Sequence, residues 1–217
     1  MNTQEREDAV TLEILSAIEQ RSDVSQRHLA DRLGVALGLA NSYLRRCVRK
    51  GLVKIKQAPA NRYLYYLTPK GFAEKSRLTG EYLLASFEFY RKAGSSFVEL
   101  FEDCRKRQHR RVIFAGVSEL AEIASLRAHD IPMEILGTYD PDTGLERFLR
   151  LPVWKDVRQA EKFDVCVLTE MNRPALLYAQ LERRLGGERV LVPSVLAGAV
   201  IPRQRTGTEG LTPRRAD

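Results

Sequence analysis

The segment running from Ser25 to Lys56, SQRHLADRLGVALGLANSYLRRCVRKGLVKIK, allows few folds. Ser25 is a good N-cap, and Leu29, Ala30 and Leu33 follow it at helical spacing. Gly34 supplies the next turn, because a residue without Cβ accepts φ > 0. A third helix is expected over residues 37–50. On a 100° wheel Ala40, Leu44, Cys47 and Val48 cluster on one side of it. Ser42, Arg45, Arg46 and Arg49 fall on the other side, with Asn41 and Tyr43 on the flanks. Upstream, Val10, Ile14, Leu15 and Ile18 predict a first helix over residues 8–20. Gly51 ends the third helix. Residues 53–57 then alternate apolar and basic, Arg62–Leu67 is rich in Tyr and Leu, and APAN makes a Pro-containing tip between them. Three helices and a two-stranded hairpin in this order predict an α+β winged helix-turn-helix over residues 1–68.

Charge follows the same boundary. The segment holds eight Lys/Arg against one acid, Asp31. Residues 1–78 carry 14 basic and 8 acidic side chains, while residues 79–217 carry 21 and 20. Nearly all of the net charge of +7 therefore sits in the first third, the footprint of a surface that displaces counterions from nucleic-acid phosphate. The bland reading, a small helical domain with a solvated basic face, is weaker, since the charge keeps to the exposed face of a complete helix–helix–turn–helix–wing. The assignment places Asn41, Ser42, Arg45 and Arg46 at base edges. Gln26, Arg27, Arg49, Lys54, Lys56 and Arg62 would grip phosphates.

LADRLGVALGLANSYLRRCVRKGLVKIK, followed by YLYYLTPKGFAEKSRL, resembles winged-helix regulators of the MarR type. It is most similar to the branch associated with exopolysaccharide gene clusters. The resemblance covers roughly residues 8–100, and the LTPKG turn is its most specific element. It implies a homodimeric transcriptional regulator of double-stranded DNA, acting on polysaccharide-biosynthesis genes.

Thr68 is a suitable N-cap and Pro69 fits the first helical position, and no proline follows as far as Lys106. Leu78, Tyr82, Ala85, Phe89, Ala93, Phe97, Leu100 and Cys104 step by three or four along this stretch, so a long helix is expected over residues 69–108. Gly80 and Gly94 are positions for a kink or break. So long an apolar stripe calls for a homodimer seam; packing on the following domain is the alternative. RKRQHRR over residues 105–111 reads as a solvated hinge with His109 exposed.

Beyond it, RVIFAG, the helix over residues 119–129, Glu134–Tyr139, FLRLPVW, FDVCVLTE, the helix Pro174–Leu185 and RVLVP alternate strand with helix. That order predicts a Rossmann-like α/β domain with a parallel sheet over residues 109–202, and residues 203–217 read as a disordered tail. Only Gly116 survives of a dinucleotide fingerprint that would put glycines at 116, 118 and 121; Ser118 and Ala121 hold the other places. Glu119 stands where a phosphate would sit, while Asp140 is placed to accept a ribose hydroxyl. Gly116, Ser118, Asp140 and Thr169 are thus candidate ligand contacts. The run is also similar to nucleotide-binding subdomains of polysaccharide-biosynthesis enzymes, and Rex-type regulators join a winged helix to an NADH-reading domain. A nucleotide or nucleotide-sugar effector, NADH, and a purely structural or assembly role all stay open.

Catalysis is not expected. His28, His109 and His129 are scattered, GVSEL lacks the second glycine of a nucleophile elbow, and DPDTG is an ordinary turn sequence. Cys47, Cys104 and Cys166 sit among apolar neighbours and read as buried thiols. No apolar run reaches the roughly 20 residues of a membrane span. MNTQEREDAV has no signal-peptide core, so a cytoplasmic protein is expected. The alternative to a regulator is a nucleotide or nucleotide-sugar binding module whose winged helix meets other proteins.

Overall fold

The computed structural model describes residues 3–59 and 62–200, without the side chains of Thr3 and Arg62. The wing tip at residues 60–61 and the tail over 203–217 lie outside the described residues. The chain forms two compact units, Met1–Glu88 and Phe89–Asp217.

In the first unit, helices α1 (Thr3–Gln20), α2 (Gln26–Leu33) and α3 (Leu37–Arg49) precede a hairpin of β1 (Val53–Ala58) and β2 (Arg62–Leu67). The Ser25 hydroxyl accepts from His28 N and caps α2, and Gly34 (φ 61°) closes that helix in the left-handed region. Ile14, Leu15, Leu29, Leu44, Cys47, Val53 and Tyr65 share one core. The apolar side of α3 is therefore spent inward, and its polar side is left outward.

Helix α4 (Pro69–Lys106) starts on a clamp. The buried Thr68 hydroxyl donates to Gly51 O (2.6 Å) and accepts from Gly71 N (3.0 Å), and Thr68 N donates to Leu52 O (3.0 Å). A Cβ on Gly71 would lie 2.0 Å from the Leu52 carbonyl oxygen. The LTPKG sequence is thereby explained: Thr for two bonds, Pro where no N–H is needed, Gly for close approach. The helix runs unbroken through Gly80 and Gly94, at neither of which it ends. At Gly94 the missing side chain makes room for Arg127, whose Nε would lie 2.8 Å from a Cβ there.

The apolar stripe of α4 divides. Ala93, Phe97, Phe101 and Cys104 belong to the core of the second unit. Between them and Leu78, which is buried, the stripe is open: Tyr82, Leu83, Leu84 and Phe87 are 63, 47, 70 and 58 % exposed. Packing inside the α/β unit, the alternative to a homodimer seam, thus accounts for the C-terminal half of the stripe.

Among the described residues the second unit holds a six-stranded sheet in the order β5-β6-β4-β3-β7-β8. These are β3 (Arg111–Ala115), β4 (Glu134–Tyr139), β5 (Arg147–Phe148), β6 (Leu151–Trp154), β7 (Val165–Leu168) and β8 (Val190–Leu191). All neighbours pair in parallel except β5 with β6, a short hairpin whose turn residues Leu149 and Arg150 take positive φ. Helices α5 (Glu119–Ala128) and α6 (Pro174–Leu185) are the crossovers, and a short α7 (Ser194–Val200), not anticipated from sequence, follows β8. Val112–Ala115 and Val165–Leu168 are wholly buried, as central parallel strands must be.

Gly71→Ala forces a methyl onto a backbone carbonyl and lowers unfolding free energy by about 1–3 kcal/mol. Gly80→Ala, with open space around the new Cβ, raises it by up to about 1 kcal/mol. Urea denaturation followed by circular dichroism reads both.

Candidate nucleic-acid interface

Helix α3 and the hairpin enclose an open groove of about 780 Å³, and Gln26, Asn41, Ser42, Arg45 and Arg49 line it together with Ile55 and Tyr65. Five of the ten residues assigned to DNA from sequence therefore meet in one place. Ser42, Arg45 and Arg49 are exposed or half-exposed there. Asn41 is half-buried, and its Oδ1 is shielded from solvent without a hydrogen-bond partner among the described residues. Gln26 reaches Tyr65 through Nε2–H to the phenol oxygen at 3.4 Å, tying the start of α2 to the wing.

Four of the other five stand elsewhere. Arg27 is exposed on α2 outside the groove. Lys54 and Lys56 pair across the hairpin with Tyr66 and Leu64, whereas Ile55 pairs with Tyr65. Side chains alternate along a strand, so the two lysines occupy the hairpin face opposite the groove rather than the space beside α3. The side chain of Arg62 lies outside the described residues.

Arg46 departs furthest from expectation. Its guanidinium contacts Glu7 of α1 at 2.7 Å, with the two side chains 41 % and 27 % exposed. That hydrogen bond holds the Glu7 carboxyl below the usual carboxylate range. Arg46 is thus drawn to the α1 side of the helix and does not line the groove with Arg45 and Arg49.

Several other cations in this unit are answered by carboxylates. Arg21 pairs with Asp23, Arg32 with Glu13, Lys75 with Glu19, and Arg77 with Glu74 and Glu81. Arg27, Arg45, Arg49, Lys54 and Lys56 form no ion pair among the described residues. Arg6 on α1 and Lys70 on α4 likewise form no ion pair among the described residues, and at the groove Arg45 and Arg49 are the cations to which a polyanion would supply counter-charge.

In the α/β unit the four candidate ligand contacts also converge, at the carboxyl ends of β3, β4 and β7, but their polar groups are turned on one another. Asp140, 7 % exposed, accepts from Val117 N, Asp142 N and Thr143 N. The Ser118 hydroxyl caps α5 at Ala121 N and donates to Thr169 O. The wholly buried Thr169 hydroxyl is within reach of the Ala115 and Gly116 carbonyls, at 3.0 and 2.6 Å. A Cβ on Gly116 (φ 104°) would lie 2.6 Å from Glu170 N and Cα. The glycine is required by the chain leaving β7, which fills the space a pyrophosphate would need. The cavity beside it, about 30 Å³, has room for about one water molecule and is lined by Asp140, Asp142 and Glu170 together with Arg173, which pairs with Asp142.

Burial pushes the Cys47 and Cys104 thiols up to about 11 and Cys166 up to about 12, so all three are neutral packing residues near pH 7. Among the described residues no group of three or more His, Cys, Asp or Glu is arranged to hold a metal ion, and no helix is long and apolar enough to cross a membrane.

The first unit is thus a winged helix-turn-helix with a cationic α3 face, and residues 7–54 match the family model for winged helix-turn-helix DNA-binding domains. No curated protein matches the sequence. Among solved structures, similarity is found to MepR, a transcription regulator of the Staphylococcus aureus multidrug efflux pump MepA. That match has a TM-score of 0.31 and 26 % identity and covers 37 % of this chain and 62 % of MepR. Human N-acetylserotonin methyltransferase with SAM gives 0.32 and 14 %, covering 87 % and 74 %. PigF with SAH gives 0.24 and 15 %, covering 88 % and 56 %. The chain therefore spans less than two thirds of MepR and of PigF, and TM-scores this low extend no shared architecture to the whole chain.

Glu7→Gln removes the charge that holds Arg46. Affinity for duplex DNA of any sequence then rises, and log K against log[salt] steepens by about 0.9 if Arg46 gains one phosphate. Fluorescence anisotropy across a salt series measures this; unchanged slope and affinity in the Glu7→Gln protein show that Arg46 is not a reserve cation.

Proposed function

We propose that this chain is a homodimeric DNA-binding transcriptional regulator whose α/β unit serves effector sensing or assembly and not catalysis. One observation carries the reading. Arg45 and Arg49, which form no ion pair among the described residues, line a groove open to solvent together with Ser42. Ser42 and Arg45 on α3 read base edges, Arg45 with the bidentate geometry suited to guanine. Arg27 and Arg49 hold phosphates beside the helix, while Lys54 and Lys56 on the far face of the hairpin reach the flanking backbone.

Dimerisation is supported by the middle of α4. Tyr82, Leu83, Leu84 and Phe87 present aromatic and aliphatic surface over about half of the helix circumference, and a helix that is apolar over so wide an arc is stable in water only when covered. A second copy covers it symmetrically and presents two α3 helices to half-sites about 34 Å apart. The resemblance of the LTPKG segment to the exopolysaccharide-associated branch makes polysaccharide-biosynthesis genes the first operators to try. The Rossmann-like strand order supports the effector role only as a scaffold. The close approach of Glu170 to Gly116 weighs against the nucleotide-module reading at that turn.

The Arg45→Ala/Arg49→Ala protein should fold normally and lose about tenfold or more in affinity for its own upstream DNA. Its salt slope should shrink by about 0.9 for each phosphate that is no longer neutralised. Wild-type affinity in that double variant, or no salt-dependent binding by the parent chain to any duplex, overturns the assignment. For the dimer, sedimentation equilibrium should give about twice the 24.7 kDa chain mass, and Leu84→Glu should return the mass to one chain. A parent protein that stays at one chain mass at micromolar concentration removes the seam.

A further inference from the structure

Exposed aliphatic side chains are not scattered over the first unit. Among its described residues, Leu37, Leu39, Ile55, Leu83 and Leu84 are the large ones open to solvent. Leu83 and Leu84 belong to the stripe on α4. The other three surround the groove. Leu37 and Leu39 are 45 and 46 % exposed on the first turn of α3, and Ile55 is 47 % exposed on the hairpin wall. A lone exposed leucine needs no explanation, but three aliphatic residues gathered on one face do.

The inward face of α3 is already made by Ala40, Leu44 and Cys47, so the two leucines are not part of the core. They stand about 100° to either side of Gly38. That glycine has no internal reason to be one. It takes ordinary helical backbone, and a Cβ built on it would meet nothing within 4 Å. Glycine weakens a helix relative to alanine, so neither the turn nor the packing of the free protein favours it here. Gly38 lines the groove beside Ser42 and Arg45. A glycine on that face gives its space to something that comes from outside, close to the helix backbone.

The visitor must combine negative charge with apolar groups at the edge that is read. Arg45 and Arg49 continue the face of Gly38 and have no ion-pair partner among the described residues. The major groove of B-form DNA meets both demands. Phosphates bound it, and the methyl group that its base edges present belongs to thymine. The N-terminal residues of a recognition helix are those that reach base edges.

On the regulator reading above, we propose that the first turn of α3 selects thymine. Leu37 and Leu39 pack on thymine C5-methyl groups in the major groove, and Gly38 between them lets the base edges come up to the helix backbone. Arg45, about two turns further along the same face, meets guanine, so each half-site joins a thymine-rich stretch to a guanine.

The test uses the full chain with its own upstream duplex and a second duplex in which 2′-deoxyuridine replaces every thymidine. The exchange removes the methyl groups and keeps base pairing and charge. Fluorescence anisotropy should show affinity falling about fourfold for each methyl that is covered, at unchanged salt slope. The Leu37→Ala/Leu39→Ala protein should melt as the parent does, bind the thymidine duplex more weakly and lose little more on the deoxyuridine duplex. Gly38→Ala should melt higher and bind about fivefold or more weakly, since the added methyl has open space in the free protein and none against a base edge. Equal parental affinity for both duplexes, full thymidine preference in the leucine double variant, or parental affinity in Gly38→Ala overturns thymine selection, and salt-dependent binding in those cases keeps the regulator reading. A parent chain that binds neither duplex at any salt sinks both.

Discussion

The hydroxyl of Thr68 holds three pieces of chain in register. It donates to Gly51 where α3 has just ended and accepts from Gly71 in the first turn of α4, while its own amide bonds Leu52 at the start of the wing. Recognition helix, hairpin and long helix are thereby fixed by one residue, 8 % exposed. Each bond would be worth about 1 kcal/mol alone. Their joint effect is geometric, since the angle at which α4 leaves the wing is set by residues that cannot move separately. Gly71 belongs to the same joint, because Leu52 O occupies the place of its missing Cβ.

Around that joint the first unit separates its charges. Acidic partners are supplied to Arg21, Arg32, Lys75 and Arg77, whereas Arg45 and Arg49 along the groove beside α3 have none among the described residues. Arg46 sits at the boundary, one step around the helix from the groove, and Glu7 claims it. The second unit does the opposite with its polar groups. Asp140, Ser118 and Thr169 satisfy one another's backbone neighbours and close the strand ends, and a cavity of about 260 Å³ opens beside the last turns of α4.

How much of this is legible in the chain depends on sequence distance. The Ser25 cap, the Gly34 turn, the two faces of α3 and the Thr68–Pro69 start are local rules acting over three or four residues, and they can be read directly. Glu7 meets Arg46 across 39 positions and Glu170 approaches Gly116 across 54, so a helical wheel misplaces Arg46 and a glycine fingerprint misreads Gly116. Alternation along β1 separates Lys54 and Lys56 from Ile55, but which face turns toward α3 is set by packing of Val53 and Tyr65 in the core. His109, half-buried where an exposed hinge residue is expected, escapes sequence reasoning because a left-handed Gln108 reverses the chain, and glutamine carries no signal for φ > 0. The Pro193-Ser194 pair is a sign of the short α7, masked because the apolar residues after it resemble the end of a strand.

The uneven pairing of charge has a kinetic consequence. Arg45 and Arg49, without ion-pair partners among the described residues, give the groove face of the unit a positive potential. In the field of a polyanion the unit is turned before it touches, so a larger share of collisions arrive with α3 leading. Association would then slow sharply as salt is added, while dissociation, set by the short-range contacts, would change less. Glu7 and the other carboxylates outside the groove thus aim the molecule without contacting what it binds.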